Sequence, residues 1–568
     1  MASANADSSL WLEISAVHTT PREVRAMSTR VLLLEVDAAD RDLILGWASQ
    51  GVLPNFQRLL RNGLSGHSMA VPGFYVGAVW PSFYTGVTPA RHGIHSLVQL
   101  KPGTYEIFRC LTGDHIKREP FWNYLSRAGK KVAILDVPLS GISRDLNGIQ
   151  MVEWGSHDAN YGFMTWPPAL ADEVRARFGV YPLTDSCNGE RRTPADFLAF
   201  RDRLVKGVRK KAELTRHYLK RGDWDFFAQV FTESHCVGHQ CWHLHDPDHP
   251  AYEPEMAAAT GDPIKDVYAA IDTAIGEILA AVGPDTTVIV LAGHGMTSKR
   301  GAQFLLHEIL VRLNVAVPAE PAVPAPSPVD RLDSLLAWSW QQIPQGARQF
   351  LKPVRDRLRG WIDEPAGLPA PKLDAAKGKC FLVENHFAVG GIRLNLVGRE
   401  PSGMVQPGAE ADALCEQLEH DLLDIRDLKT GKRAVSDVVR TRDLYRGEYL
   451  DDLPDVLVIW SHDLPLGTAA VGKPGNGKVR LGSDKIGVIE GENRYCRTGE
   501  HRPDGMFIAS GPGLEPGTLG RTVSIVDFAP TITRLLDVDL PDVDGQPIRE
   551  LFAESPGGNE ADGRHSYR

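Results

Sequence analysis

Five short apolar runs, each carrying a polar residue at or near an end, limit what this chain can fold into. They are RVLLLEVDAAD (30–40), KKVAILDVP (130–138), DWDFFAQVFTES (223–234), TTVIVLAGHGM (286–296) and GMFIASGPG (505–513). Continuous apolar runs of this length read as strands buried on both faces. Between them lie helical patterns. PNFQRLLRNG (54–63) has Pro early and Gly after it, and KDVYAAIDTAIGEILAAVG (265–283) is amphipathic and closed by Gly. Strands alternating with helices imply right-handed βαβ units, hence an α/β fold with a mostly parallel central sheet flanked by helices. Ligands of such sheets gather beyond the C-terminal strand ends. Asp37, the 233–239 cluster and His294 all fall at such ends, and His501 comes just before the last strand.

The rest of the chain sets the expected organisation. Residues 1–28 read as a flexible tail and 29–317 as the first part of the core. Residues 318–372 open on PAEPAVPAPSPVD, a Pro-rich linker, and continue as a helical cap insert. Residues 373–465 read as a smaller α+β subdomain, 466–552 as the C-terminal part of the core, and 553–568 as a disordered tail. With 43% hydrophobic and 24% charged residues the chain can bury a large core. A net charge of -10 argues against a nucleic-acid partner. The 7 cysteines are scattered and odd in number, which does not suit a disulfide framework. There is no basic segment followed by an apolar run at the N-terminus, and no stretch of ~18 apolar residues. The expectation is a cytoplasmic protein without a membrane span.

TESHCVGHQCWHLHD (232–246) concentrates the chemistry. His235 and His239 are spaced i, i+4, so a helix would put both imidazoles on one face, close enough to share an ion. A satisfied polar cluster is the competing reading. Glu233 is a neighbouring carboxylate that could orient a ligand or act as a general base. Cys236 and Cys241 do not share the histidine face and read as small buried residues. His243, His245 and Asp246 lead into a turn-like loop.

AVWPSFYTGVTPARHGI (78–94) is the most distinctive stretch. Asp37 and PNFQRLL precede it. Downstream of it, in order, stand an acid/His pair after a strand, AGHGM, GEHRPDGMFIASGPG and VDFAPTITRLLDVDLPDVDGQPI. Together these elements resemble the alkaline phosphatase superfamily, in particular its type I phosphodiesterase/nucleotide pyrophosphatase branch, over most of residues 30–552. The resemblance implies a divalent-metal-dependent hydrolase of phosphate esters, diesters foremost, acting on a small-molecule substrate. It implies one or two ions, zinc foremost and manganese as the other candidate. It makes Asp37, His239, His294 and His501 metal ligands and leaves His92 in a structural turn. The sulfatase signature of the same superfamily is absent from residues 70–95.

Three positions depart from the family pattern. His235 stands where the aspartate of Asp-x-x-x-His is expected, Gly293 where the aspartate of Asp-His-Gly is expected, and Val76 where the Ser/Thr nucleophile is expected. His235, His239 and His501 would then form a three-histidine site, which lowers the pKa of a bound water to about 7. A metal-bound hydroxide could replace the protein nucleophile. Ser82 is the nearest alternative hydroxyl, and Tyr75 flanks the expected position. Trp154, His157 and Asp158, in the Gly-rich EWGSHDANYGF, are expected at the substrate mouth. The alternative reading is a family member that has lost catalysis and binds a ligand or partner through the old pocket.

Overall fold

The computed structural model describes residues 30–110, 115–156, 162–183, 189, 191–299, 301–319, 373–461, 478–493 and 497–552. The expected tails, and residues 320–372 of the insert, lie outside the described residues.

Nine strands form the central sheet: β1 (Arg30–Val36), β2 (Leu64–Met69), β3 (Val132–Leu135), β4 (Gly148–Val152), β5 (Met164–Trp166), β6 (Phe226–Phe231), β7 (Thr286–Ala292), β8 (Asp504–Ser510) and β9 (Gly517–Ser524). Their spatial order is β9-β2-β8-β7-β1-β6-β3-β4-β5. β1 lies at the centre, parallel to both β6 and β7. Its apolar run is continuous because both faces are covered. Leu32, Leu34 and Val36 enter one hydrophobic cluster, Val31 and Leu33 the other. The helices Pro194–Arg221, Glu233–His245 and Pro263–Leu279 contribute to the first. The helices Val79–Thr85 and Phe528–Leu535 contribute to the second.

Two strands break the parallel rule. β5 runs against β4, and β8 runs against both β2 and β7. The direction of β8 positions the site. Because it is reversed, its N-terminal end meets the C-terminal end of β7, so the chain just before β8 reaches the edge where β1, β6 and β7 finish. There Gly295–Ser298 and Gly499–Arg502 pair as an antiparallel ribbon, with Met296 opposite His501.

A second unit stands on a four-stranded antiparallel sheet in the order Cys380–Val383, Val389–Leu394, Val456–Trp460, Val435–Arg440. The helix Ala409–Leu423 contributes to its hydrophobic cluster. That cluster also takes Leu305, Leu306, Ile309 and Leu310 from one flank of the chain and Val479, Leu481 and Ile489 from the other. Among the described residues no helix is long and apolar enough to cross a membrane.

Candidate active site

Helix Glu233–His245 begins directly after β6, and its i, i+4 geometry stacks His235 and His239, with ring centroids 4.5 Å apart. The helix packs closely on the ribbon. A Cβ on Gly238 would lie 2.8 Å from Met296 Cγ, and one on Gly499 would lie 2.2 Å from the Gly238 carbonyl oxygen. Glycine at both positions therefore lets helix and ribbon approach. The approach brings the His501 ring within 4.9 Å of His235 and 4.6 Å of His239, centroid to centroid. The His294 ring lies 4.7 Å from that of His501, centroid to centroid. The backbone Thr498 N–H donates to the His239 carbonyl at 2.8 Å and ties ribbon to helix.

The donor atoms of His235, His239 and His501 all lie within 4.8 Å of one another, the one such group of three among the described residues. The chemistry of the set suits a divalent cation. His239 Nδ1 is 2.8 Å from the Gly499 carbonyl oxygen. A carbonyl only accepts, so Nδ1 carries the proton and Nε2 presents its lone pair to the cluster. That lone pair stands 3.1 Å from His501 Nε2 and accepts from Arg497 Nη1 at 2.9 Å. Burial pushes the His501 pKa well below the ordinary value, and the positive charge of Arg497 adds to this. All four histidines are nearly inaccessible to solvent. Neutral, buried imidazoles are the form that ligates.

Asp37 follows β1 at the same edge and is buried. Its carbonyl accepts from Ser234 Oγ at 2.6 Å, so helix Glu233–His245 starts from a fixed point beside it. Asp37 is not among the donors gathered within 4.8 Å. Gly293 is flanked by a different carboxyl group, that of Glu35 on β1. Oε1 of Glu35 lies 3.2 Å from where a Cβ at 293 would be. Burial raises the Glu35 pKa well above the usual carboxylate range, and the charge of Asp37 adds to this.

The other expected site residues have contacts of their own. Glu233 turns away from the histidines. Its Oε1 accepts from Tyr181 Oη at 2.5 Å and its Oε2 from Lys211 Nζ at 3.4 Å, in a fully buried ion pair. Ser82 lies inside helix Val79–Thr85, fully buried, with Oγ 2.9 Å from His92 Nε2. His92 Nδ1 accepts from the Ile94 N–H at 3.2 Å, so Nε2 carries the proton and donates to Ser82. That tautomer cannot take a proton from the hydroxyl. Tyr75 is buried, and its pKa is raised by burial and then by the charges of Glu500 and Asp504. Trp154 packs in the core against Phe178 and Tyr181, and its indole N–H donates to the Gly179 carbonyl at 3.1 Å. His157 and Asp158 lie outside the described residues.

Arg497 and Glu35 stand beside the site without having stood out in the sequence. Arg497 precedes His501 by four residues on the approach to the ribbon. Glu35 looks like part of an apolar strand, and only a carboxylate in that run hints at a second role.

The profile of the type I phosphodiesterase/nucleotide pyrophosphatase family matches residues 31–333, more than half of the chain. No curated protein matches. Among solved structures, murine ectonucleotide pyrophosphatase/phosphodiesterase 5 in complex with AMP is 13% identical. It covers 91% of this chain and 97% of its own, with a TM-score of 0.45. Phosphonoacetate hydrolase from Sinorhizobium meliloti 1021 in complex with phosphonoformate is 13% identical, covers 90% and 96%, and has a TM-score of 0.43. The chain belongs to the type I phosphodiesterase/nucleotide pyrophosphatase family, hydrolases of phosphoric ester bonds.

Proposed function

We propose that this protein hydrolyses phosphate diesters of small molecules at a divalent cation, zinc foremost and manganese as the other candidate, held by His235, His239 and His501. The observation that carries the reading is the convergence of three buried imidazole donors within 4.8 Å, one of them fixed in its ligating tautomer by the Gly499 carbonyl. Bound there, such an ion supplies Lewis acidity and an acidified water. The chain's own groups do the rest. Gly499 holds His239 in register, and the Arg497 guanidinium brings positive charge to the place where a phosphoryl group would accumulate negative charge. Val76 offers no hydroxyl, and Ser82 accepts a hydrogen bond from His92 rather than giving up a proton. Direct attack by water therefore replaces a covalent phosphoenzyme. Asp37 and His294 are the groups available to a second ion, with the Glu35 carboxyl beside Gly293. Cys110, Cys236, Cys241, Cys380 and Cys415 are all buried, and their scatter through the chain suits a reducing, cytoplasmic setting better than a disulfide framework.

The second reading, a non-catalytic binder, draws on Val76 and Gly293. Elemental mass spectrometry of gently purified protein, followed by a phosphodiester screen, separates the two. About one zinc per chain, lost in His235→Ala together with diester cleavage, is the expected result. A chain that takes up neither zinc nor manganese and cleaves nothing overturns the hydrolase reading in favour of the binder.

A further inference from the structure

The subdomain meets the core through the loop 384–388, between the strands Cys380–Val383 and Val389–Leu394. Two contacts pin this loop to the core. The side-chain amide of Asn385, which is 3% exposed, donates to the Gly73 carbonyl at 2.9 Å. The ring of Phe387 lies 4.8 Å from the Lys299 ammonium. Between them His386 adopts a left-handed backbone, with φ 62°. Histidine is among the few side chains that enter this region more readily, at a modest cost, and residues held there cluster at functional sites.

The turn drives the imidazole against Gly77, one residue beyond Val76. A Cβ on Gly77 would lie 2.8 Å from His386 Nε2, so the glycine makes the room the ring occupies. Nε2 is buried and makes no hydrogen bond among the described residues. A strained backbone and an unsatisfied buried nitrogen thus meet in one side chain, and both are unfavourable in the absence of a ligand. Burial, and then the charge of Arg497, push its pKa down to about 4, so the ring is neutral near pH 7. Val79, two residues past Gly77, has its Cγ2 3.5 Å from where a Cβ at Gly293 would be, so this turn leads to the residue just before His294.

We propose that His386 is a substrate-contacting residue. The subdomain loop presents its Nε2 to an oxygen of the phosphoryl group held beside His235, His239 and His501. The proposal rests on the phosphate-ester reading above. It makes the subdomain part of the active site, with the peptide turn 73–77 as the seat onto which the loop closes.

The test uses the full chain loaded with zinc and inorganic phosphate as the probe, followed by titration calorimetry. His386→Gly relieves the left-handed strain, and His386→Asn keeps a polar side chain that tolerates that backbone. The expected result for His386→Gly is unchanged zinc content, an unchanged or raised melting temperature, and phosphate affinity about tenfold weaker. His386→Asn should recover part of that loss. Phosphate affinity equal to that of the parent protein in both variants overturns the proposal. Zinc lost from both variants also overturns it, because His386 would then be a metal ligand. A lower melting temperature with unchanged phosphate affinity overturns it in favour of a structural role. If the zinc-loaded parent protein takes up no phosphate and cleaves no diester, the phosphate-ester reading falls first and this inference with it.

Discussion

Oε1 of Glu35 lies 3.2 Å from the point where a side chain at position 293 would begin, so the strand next to Gly293 supplies a carboxyl group at the position where the family expects an aspartate. Ile525 Cδ1 closes the same space at 3.1 Å. An aspartate at 293 would crowd a third carboxyl group against Glu35 and Asp37. Gly293→Asp is expected to lower the stability of the metal-free protein by about 3 kcal/mol, the scale of an uncompensated buried charge. Glu35→Ala should relieve the crowding, so the double variant loses less than the two single losses summed. Urea denaturation of the four proteins measures the coupling. Additivity within about 0.5 kcal/mol would show that the two positions do not share a space.

Arg497 and a cation compete for one lone pair. The guanidinium donates to His239 Nε2 at 2.9 Å, and that nitrogen belongs to the three-histidine group. Removing the guanidinium removes both the competing hydrogen bond and a repelling positive charge. Arg497→Met should therefore bind zinc more tightly, by about tenfold, which is ~1.4 kcal/mol. It should cleave diesters more slowly, because a charge that favours the transition state has gone. A competition titration with a zinc-sensitive dye reads the first effect and steady-state rates read the second. Weaker zinc binding would mean that Arg497 supports the histidines rather than competing with the ion.

Ser82 and His92 are expected to matter for stability and not for turnover. The hydroxyl accepts from His92 Nε2 and is wholly buried in helix Val79–Thr85. Ser82→Ala leaves that N–H without a partner, at a cost of about 1–3 kcal/mol. Diester cleavage at a temperature where the variant is folded should stay within about twofold of the parent. A loss of a hundredfold or more would make Ser82 the missing nucleophile.

The strands were legible because a continuous apolar run describes a buried strand whatever its partners. Its direction was not. An apolar run has no polarity, and nothing in GMFIASGPG marks β8 as antiparallel, yet that reversal is what carries His501 to His239. The helical spacing of His235 and His239 is local and was legible for the same reason as the strands. Glu233 was not legible. Its partners Tyr181 and Lys211 come from 52 and 22 residues away, and they turn a candidate base into half of a buried ion pair. Trp154 likewise read as a pocket wall because its neighbours Phe178 and Tyr181 are brought to it by the fold. His386 stood in a loop of another unit, and only the tertiary contact with Gly77 singles it out.

The Lys211–Glu233 pair gives its own test. Both side chains are fully buried, and Lys211 Nζ also bonds the Val230 carbonyl at 3.1 Å and Thr232 Oγ1 at 3.0 Å. Lys211→Met leaves the carboxylate buried with Tyr181 as its remaining bonded partner, and should destabilise the fold by about 3–5 kcal/mol. Adding Glu233→Gln removes the stranded charge and should recover part of that loss. Glu233→Gln alone should leave zinc content unchanged, since the carboxylate faces away from the histidines. Loss of the ion in that variant would return Glu233 to the metal site.

Acid should unfold the metal-free protein through buried histidines outside the three-histidine group. Burial lowers the pKa of His92 and of His95 to about 3, and that of His249 to about 4. In the unfolded chain each titrates near about 6.5. Between those limits the unfolded state binds more protons, so stability rises with pH and is fully present above about 6.5. It is lost as pH falls from there toward the folded values. Each ring contributes a slope of about 1.4 kcal/mol per pH unit in that window, and buried carboxyl groups with raised pKa values, Glu35 and Asp136, oppose it. Urea midpoints at pH 7, 5.5 and 4.5 measure the slope. His92→Gln, which preserves groups able to meet Ser82 and Ile94, should reduce the slope by about 1.4 kcal/mol per pH unit. An unchanged slope in His92→Gln would mean that this ring is charged or solvated in the folded protein, contrary to its burial.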